Sequence, residues 1–219
     1  MNKKVKKATK QEIDFIKDEF SKRYADAVTE LNYTNLYELL VSVMLSAQCT
    51  DKRVNIITPA LFAKYPTTKE LANATLEDVK EIIKSCSFFN NKATNLIKMA
   101  QSVEENFGGK IPLDEKSLIT LAGVGQKTAH VVMIEYAGAN LMAVDTHVFR
   151  VSHRLGLSDA KTPSATEEQL TKKFKTNLHV LHQAMVLFGR YICKAKNPEC
   201  NSNCFLTTVC KSKESFKVG

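Results

Sequence analysis

A glycine turn with a lysine beside it is the part of this sequence best suited to chemistry. Gly123-Val124-Gly125 precedes an apolar stretch, residues 128–137, whose composition predicts a helix. Glycines let a ligand approach the backbone closely, and the N–H groups at the start of a helix attract anions. Lys127 lies in the first turn of this predicted helix, and Asp145 begins a later one. An amine and a carboxylate brought together beside a phosphate-binding turn indicate amine chemistry on nucleic acid.

Each of these residues also has an ordinary structural interpretation. The glycine turn could be a simple bend, and Lys127 could be a solvated surface lysine. Asp145 could be a helix N-cap whose carboxylate accepts the N–H of His147 or Val148. The combination favours a function more strongly than any single residue does.

Four cysteines follow closely in one segment: Cys193, Cys200, Cys204 and Cys210. Four thiolates at this spacing indicate one metal centre. Zinc also accepts four cysteines, but the first gap is wider than the pairs usual in zinc sites. Unligated thiols are the third interpretation. With no secretory context in the chain, a disulfide framework is disfavoured.

Composition limits the class of protein. The chain has 219 residues, enough for one or two domains, and its 8 glycines and 5 prolines favour helices over a sheet. A net charge of +8 suits a polyanionic partner, although it could also be a solvated surface. No signal peptide or membrane span is visible, which predicts a cytoplasmic protein, associated with the nucleoid if bacterial.

The segment LAGVGQKTAHVVMIEYAGANLMAVDTHVFR resembles endonuclease III, a family of helix-hairpin-helix DNA glycosylases with β-lyase activity. The family's hairpin signature LPGVGxKTA and its catalytic carboxylate in VDTH both occur here at the family's spacing. Ala122 stands where the family usually has proline. That exchange loosens the entry to the turn and removes no reacting group.

The resemblance implies an all-α fold with two lobes. One is a six-helix domain over residues 29–139 that contains the helix-hairpin-helix. The other is a discontinuous domain, residues 1–28 and 140–219, that holds a [4Fe–4S] cluster on the four cysteines. The family's cluster loop has one residue fewer between its second and third cysteines, which weakens this assignment slightly.

The resemblance also implies a function: a base-excision-repair DNA glycosylase and AP lyase, acting as a monomer on double-stranded DNA with damaged bases or abasic sites. The expected substrates are oxidised pyrimidines. Lys127 would form a Schiff base, after which β-elimination cleaves the strand 3′ to the abasic site. Asp145 would stabilise the positive charge that develops on the sugar.

Further residues would contact the DNA. The turn from Gly123 to Gly125 would hold a phosphate. Gln48, in SAQCTD, would enter the space left by the extruded base, unless its amide only caps a helix end. Phe88 would be an apolar wedge beside the damaged base, or else a buried core residue. Lys194 and Lys196 would contact phosphates, or be plain surface charge.

Two alternatives remain. Adenine DNA glycosylase shares the hairpin, the aspartate and the cluster but lacks the catalytic lysine, so Lys127 argues against it. A non-catalytic DNA-binding or redox-sensing module would make the pairing of Lys127 with Asp145 incidental. Strand cleavage at an abasic site distinguishes this module from an enzyme.

Local signals also predict where helices begin and end. Asp51 is expected to cap a helix. Thr67 with Glu70, and Ser164 with Glu167, are expected to form capping boxes. Gly108 is expected to end a helix in the left-handed conformation.

Overall fold

A computed structural model describes residues 6–212. The ends of the predicted discontinuous domain, residues 1–5 and 213–219, lie outside the described residues. Eleven helices and no strand are found in the part that is described, which confirms the all-α prediction. None of the helices over residues 6–212 has the length and apolar character needed to cross a membrane.

The described residues divide into two compact units. The first unit, Thr29–Gly138, contains seven helices, two of them short: α2 (Leu36–Ser46), α3 (Asp51–Lys64), α4 (Thr68–Ala72), α5 (Leu76–Ile83), α6 (Phe89–Phe107), α7 (Glu115–Leu118) and α8 (Gln126–Ala137). The second unit joins residues 6–28 to 139–212 and contains the remaining four: α1 (Lys10–Arg23), α9 (Thr146–Arg154), α10 (Pro163–Phe174) and α11 (Leu178–Tyr191).

Helix α2 is the centre of the first unit. Its residues are apolar on nearly every face, as is typical of a helix surrounded by others. Tyr37 and the run from Leu39 to Leu45 are buried. Asn35 begins the helix by accepting the backbone N–H of Glu38 at 3.0 Å. Helices α3, α6 and α8 all pack against α2, so the segments that follow α2 and precede α8 are attached to one core.

The second unit has an aromatic core. The rings of Phe20, Phe188 and Phe205 meet edge to face, with centroid separations of 5.1 to 5.9 Å. Such T-shaped contacts are favoured by the charge distribution of aromatic rings. Phe205 lies between two of the clustered cysteines, so this core fixes the cysteine segment to α1 and α11.

Two predicted caps are wrong. Thr50, and not Asp51, caps α3 by accepting the N–H of Arg53 at 3.2 Å, and Asp51 is the first helical residue. Thr162 caps α10 by accepting the N–H of Ala165 at 3.3 Å, and Pro163 starts the helix, so Ser164 lies inside it. In both cases the true cap stands one or two residues earlier. A helix can begin at the earlier of two possible capping residues when the residue after that cap is favourable in a first helical turn. Asp51 after Thr50 and Pro163 after Thr162 are such residues.

The other predicted helix ends lie where expected, although the Thr67 hydroxyl accepts the N–H of Lys69 at 3.2 Å and not that of Glu70. Thr67 is the N-cap of α4, and its hydroxyl donates to the carboxylate of Glu70. Gly108 ends α6 in the left-handed conformation, with φ of 59°.

Candidate functional site

The glycine turn joins α7 to α8, and we call these two helices with residues 119–125 the hairpin. Gly123 has φ of 78°, a conformation that L side chains rarely adopt. A Cβ added to Gly123 would lie 2.9 Å from Cβ of Asn95 on α6, so glycine is required there for space as well. Val124 is buried and donates its N–H to the Leu121 carbonyl at 3.0 Å. The turn is therefore rigid and close to α6.

The start of α8 is open to a ligand. Gly125 is its N-cap, and no side chain of the described residues caps the helix. The first N–H groups of such a helix carry partial positive charge and suit an anion. Lys127 lies in this first turn and its side chain is exposed.

A buried histidine ties the two hairpin helices together. His130 is 3 % exposed, and its Nε2 lies 3.1 Å from Oε2 of Glu115 on α7. Sequence reasoning missed this contact. The sequence does contain a signal for it, because His130 is a polar residue inside the apolar stretch that forms α8.

Gln48 and Phe88 share an unusual backbone. Their φ angles are 55° and 57°, in the left-handed region that favours glycine. Gln48 is exposed and makes no side-chain hydrogen bond to the described residues, so it does not cap the end of α2. Phe88 is 62 % exposed, which excludes the interpretation as a buried core residue. Both side chains are thus exposed to solvent, and each is attached to a backbone in a strained conformation.

The end of α2 is capped by a lysine that the sequence analysis did not single out. Lys92 is 9 % exposed, and its Nζ donates to the carbonyls of Leu45 and Ala47 at 2.7 Å each. The signal lay in the spacing. Lys92 stands four residues before Leu96, on the apolar face of α6.

A cavity of about 110 Å³ lies beside this lysine. Its lining residues come from α2 and the segment after it, from α6 and from the hairpin turn: Met44, Ala47, Lys92, Asn95, Leu96 and Gly123. The turn that carries Gln48 and the glycine turn therefore border the same space, with α6 between them.

Asp145 belongs to the second unit and is the N-cap of α9. Its Oδ1 accepts the N–H of His147 at 2.8 Å and that of Val148 at 2.7 Å. Its Oδ2 accepts no hydrogen bond from the described residues. The capping interpretation is therefore correct, and it occupies only one of the two oxygens.

The backbone leading to Asp145 is held firmly. Met142 and Val144 are buried in the core of the second unit. The carbonyl of Ala143 lies 2.8 Å from Nδ1 of the buried His182. Since these contacts lie immediately before Asp145, its carboxylate has a defined position.

Two arginines connect α9 to the cysteine loop, which we define as residues 193–210. Arg150 donates from Nε to the Cys193 carbonyl at 3.0 Å. Arg154 donates from Nη1 to the Lys194 carbonyl at 2.7 Å and approaches Sγ of Cys193 at 3.3 Å. Burial lowers the pKa of Arg150, and the charge of Arg154 acts in the same direction. The helix that begins at Asp145 is thus also a support for the loop.

The four cysteines of the loop match a metal centre in donor type and number. Burial raises the pKa of the Cys204 thiol to about 11, and the neighbouring cysteines also raise it. Burial likewise raises the pKa of Cys200 and Cys210. Thiols of this kind are protonated unless a metal replaces the proton. No three His, Cys, Asp or Glu side chains within residues 6–212 are close enough here to hold a metal ion.

The two lysines of the loop differ. Lys194 forms an ion pair with Glu199, which also accepts a hydrogen bond from Asn203. Lys196 is exposed and has no hydrogen-bond or ion-pair partner among the described residues. The charge of Lys196 is therefore the more available of the two.

Comparison with known proteins identifies this arrangement. Residues 41–176 match the HhH-GPD superfamily of base excision DNA repair proteins. The chain is 44 % identical to endonuclease III of Rickettsia conorii over 196 residues, 89 % of this chain and 90 % of that one. It is 40 % identical to endonuclease III of Bacillus subtilis over 203 residues, 92 % of each chain.

A solved structure shows the same fold. A trapped endonuclease III–DNA covalent intermediate is similar to this chain with a TM-score of 0.90 and 40 % identity, covering 94 % of this chain and 98 % of that one. The matched family segment, residues 41–176, includes the hairpin and the VDTH segment. The protein therefore belongs to the endonuclease III family of HhH-GPD base excision DNA repair proteins.

Proposed function

We propose that this protein removes oxidised or ring-saturated pyrimidines from double-stranded DNA and cleaves the strand through a Schiff base on Lys127. The DNA glycosylase and AP lyase activities follow from membership of the endonuclease III family. The substrate class and the residue roles are proposals. The observation that carries them is Lys127, exposed in the first turn of an uncapped helix that follows a glycine turn.

The first task is to hold an opened duplex. A glycosylase must extrude its target base, because C1′ is not accessible while the base is stacked. The N–H groups at Gly123–Gly125 and the start of α8 would bind a backbone phosphate near the lesion. Gln48 and Phe88 would fill and support the space left in the duplex, which their exposure favours.

The second task is covalent chemistry. The neutral amine of Lys127 attacks C1′, and the bond between C1′ and the base breaks with its electron pair leaving on the base. The bond between C1′ and O4′ of the sugar ring then breaks, O4′ takes up a proton that the attacking nitrogen has lost, and an imine forms between Nζ and C1′. The imine acidifies the C2′ proton, and its removal expels the 3′ phosphate by β-elimination. Hydrolysis of the imine then releases Lys127.

Asp145 would serve the same reaction through its second oxygen. Oδ1 caps α9, so Oδ2 is the atom available to stabilise positive charge on the sugar and to accept or return protons. The buried residues before Asp145 would keep that oxygen in place during the reaction.

The remaining proposals concern the rest of the molecule. Cys193, Cys200, Cys204 and Cys210 would ligate a [4Fe–4S] cluster, which when bound would fix the loop and neutralise its thiolates. Lys196 would contact DNA phosphates, and Lys194 would do so only after its ion pair with Glu199 is broken.

We propose that the protein acts as a monomer in the cytoplasm. We also propose the two domains expected from the sequence. The division of the chain into compact units, with boundaries after residues 28 and 138, supports them.

Borohydride trapping tests the nucleophile. Wild-type protein with a thymine glycol duplex should give a trapped covalent complex. Lys127→Gln should abolish trapping and strand cleavage, because an amide cannot form an imine. Binding of lesion DNA should persist, since the hairpin N–H groups and Gln48 remain. Lys116→Gln, which changes an exposed lysine in the other hairpin helix, should still be trapped.

Two outcomes would contradict this proposal. Trapping of Lys127→Gln at the wild-type rate would show that the nucleophile is another residue. The substrate class is tested with the same wild-type protein on duplexes carrying thymine glycol, uracil or 8-oxoguanine. Faster excision of 8-oxoguanine than of thymine glycol would refute the pyrimidine assignment while leaving Lys127 in place.

A further inference from the structure

Gln48 and Phe88 are separated by forty residues of sequence. Lys92 nevertheless makes a hydrogen bond to the backbone beside each of them, at Ala47 and at Phe88. Each has a left-handed backbone that non-glycine residues rarely adopt. Such conformations persist only where the surrounding structure holds them. The groups that hold them are therefore of functional interest.

The side chain of Lys92 holds the segment before Gln48. Helix α2 ends at Ser46, and the carbonyls of its last turn have no partner inside the helix. The ammonium of Lys92 binds two carbonyls here, those of Leu45 and Ala47. The Ala47 carbonyl belongs to the peptide bond that leads directly into Gln48, so this contact restrains the turn that presents Gln48.

The backbone of Lys92 holds Phe88. Phe88 is the N-cap of α6, and its carbonyl accepts the N–H of Lys92 at 3.1 Å. No side chain of the described residues caps this helix at Phe88. The first turn of α6 therefore depends on backbone contacts of this kind. Lys92 thus connects the two strained positions. Its backbone amide binds Phe88, and its ammonium binds the residue before Gln48.

The same contacts exclude a role for Lys92 as a nucleophile. An ammonium group has three N–H donors. Nζ of Lys92 meets the two carbonyls at 2.7 Å and Sγ of Cys86 at 3.2 Å, which uses all three. A buried charge is tolerated only when it is satisfied in this way. Lys92 is consequently fixed in place and cannot swing out to attack a sugar.

We propose that Lys92 is a positioning residue that sets the spacing between Gln48 and Phe88, so that both side chains enter the opened duplex together. This inference rests on the proposed DNA-supporting roles of Gln48 and Phe88. It adds a residue that touches no substrate. Its backbone amide belongs to the helix that follows Phe88, and its ammonium, the group removed in the test, acts through Gln48. Loss of its ammonium would release the Ala47 carbonyl and let the Gln48 turn move relative to α6.

A double-mutant cycle tests the proposal. The variants are Lys92→Met, Gln48→Ala and their combination, with Lys98→Met as the matched control because Lys98 is an exposed lysine on the same helix. The first measurement is single-turnover excision from a thymine glycol duplex. The second is strand cleavage at an abasic site in single-stranded DNA, where no opposite strand has to be supported.

We expect each single variant to lower the duplex rate roughly tenfold, within the range of coupling between contacting residues. The double variant should be no slower than Gln48→Ala alone, because Lys92 acts through Gln48. Cleavage of the single-stranded abasic substrate by Lys92→Met should fall much less than its duplex rate, because no opposite strand has to be supported. Lys98→Met should match wild type on both substrates.

Each other outcome decides against the proposal. Multiplying losses in the double variant, an equal loss on single-stranded DNA, or a normal duplex rate for Lys92→Met would overturn it. If Lys92→Met does not fold, the same double-mutant cycle is measured with Lys92→Gln, whose amide keeps two N–H donors and loses the charge. A normal duplex rate for Gln48→Ala is a different failure, since it removes the proposed role of Gln48 and this inference with it.

Discussion

The two carboxylate oxygens of Asp145 have different surroundings. Oδ1 accepts two backbone N–H groups at the start of α9, whereas Oδ2 accepts none from the described residues. A helix cap and a catalytic charge are usually difficult to separate when they share one side chain. In the proposed mechanism the two tasks fall on different atoms of Asp145, so one substitution can remove the charge and keep the cap.

Asp145→Asn is the substitution that separates them. Asparagine caps helices about as well as aspartate, so the midpoint of thermal unfolding should stay close to that of wild type. Base excision should fall by roughly 10²–10³, the scale for removing one electrostatic support of a transition state. Single-turnover excision and calorimetry measure the two effects.

Asp145→Ala is the control for this prediction. It removes the charge and the cap together, so it should lose excision and also about 1 kcal/mol of stability. An Asn variant that loses stability as the Ala variant does would contradict the division of tasks between the two oxygens.

Helix α6 contacts the three elements of the first unit that we propose bind or support the DNA. Its first turn follows Phe88, its Lys92 binds the end of α2, and its Asn95 packs against Gly123. The hairpin turn is therefore shaped by a helix distant in the sequence as well as by its own glycines. The two glycines of the turn differ in this respect, which allows a matched comparison.

Gly123→Ala should destabilise the protein clearly more than Gly125→Ala does. The left-handed backbone at Gly123 alone costs an L-residue roughly 1–2 kcal/mol. The overlap with Asn95, at 2.9 Å from the new Cβ, adds to that cost. Gly125 has φ of −90° and nothing within 4 Å of a new Cβ, so its change brings no strain or overlap. It should cost only what alanine loses as a poorer N-cap, within about 1 kcal/mol.

Urea unfolding of the two variants measures this difference. Equal stability of the two proteins would mean that the turn relaxes away from α6 when Gly123 is replaced. If Gly125→Ala folds normally but binds duplex DNA more weakly, the loss reports on phosphate approach to the turn, separately from folding.

At the scale of the whole molecule, the two units have separate cores and separate tasks. The unit Thr29–Gly138 carries the hairpin, Gln48 and Phe88, and the other unit carries Asp145 and the cysteine loop. The loop is attached to its own unit by Phe205 in the aromatic core and by the arginines of α9. Its thiols are buried enough to favour the protonated form without a metal.

Metal analysis of the purified protein tests the cluster. Protein purified anaerobically should be yellow-brown, absorb broadly in the visible range and contain about four irons per chain. Cys204→Ser should lower the iron content, because it removes a ligand. Cys49→Ser should not, because Cys49 follows α2 in the first unit, far from the loop in sequence. Stoichiometric zinc without iron would refute the assignment.

Much of this protein could be predicted from the sequence, since many of its signals are local. The hairpin turn, the start of α9 at Asp145 and the end of α6 at Gly108 depend on residues within one or two turns of each other. Such signals fail only where neighbouring residues compete, as Thr50 did with Asp51. The resemblance to endonuclease III came from the same short segments.

The tertiary structure decided what depends on distant partners. The partners of Lys92 lie 45 and 47 residues away in sequence, and those of Arg154 about as far. No local pattern reveals which buried carbonyl a lysine will meet. The exposure of Phe88 was undecided for the same reason, because burial is a property of the packed core and not of the residue type. Local backbone preferences are encoded over a few residues, whereas satisfying buried charges requires the whole chain to be packed.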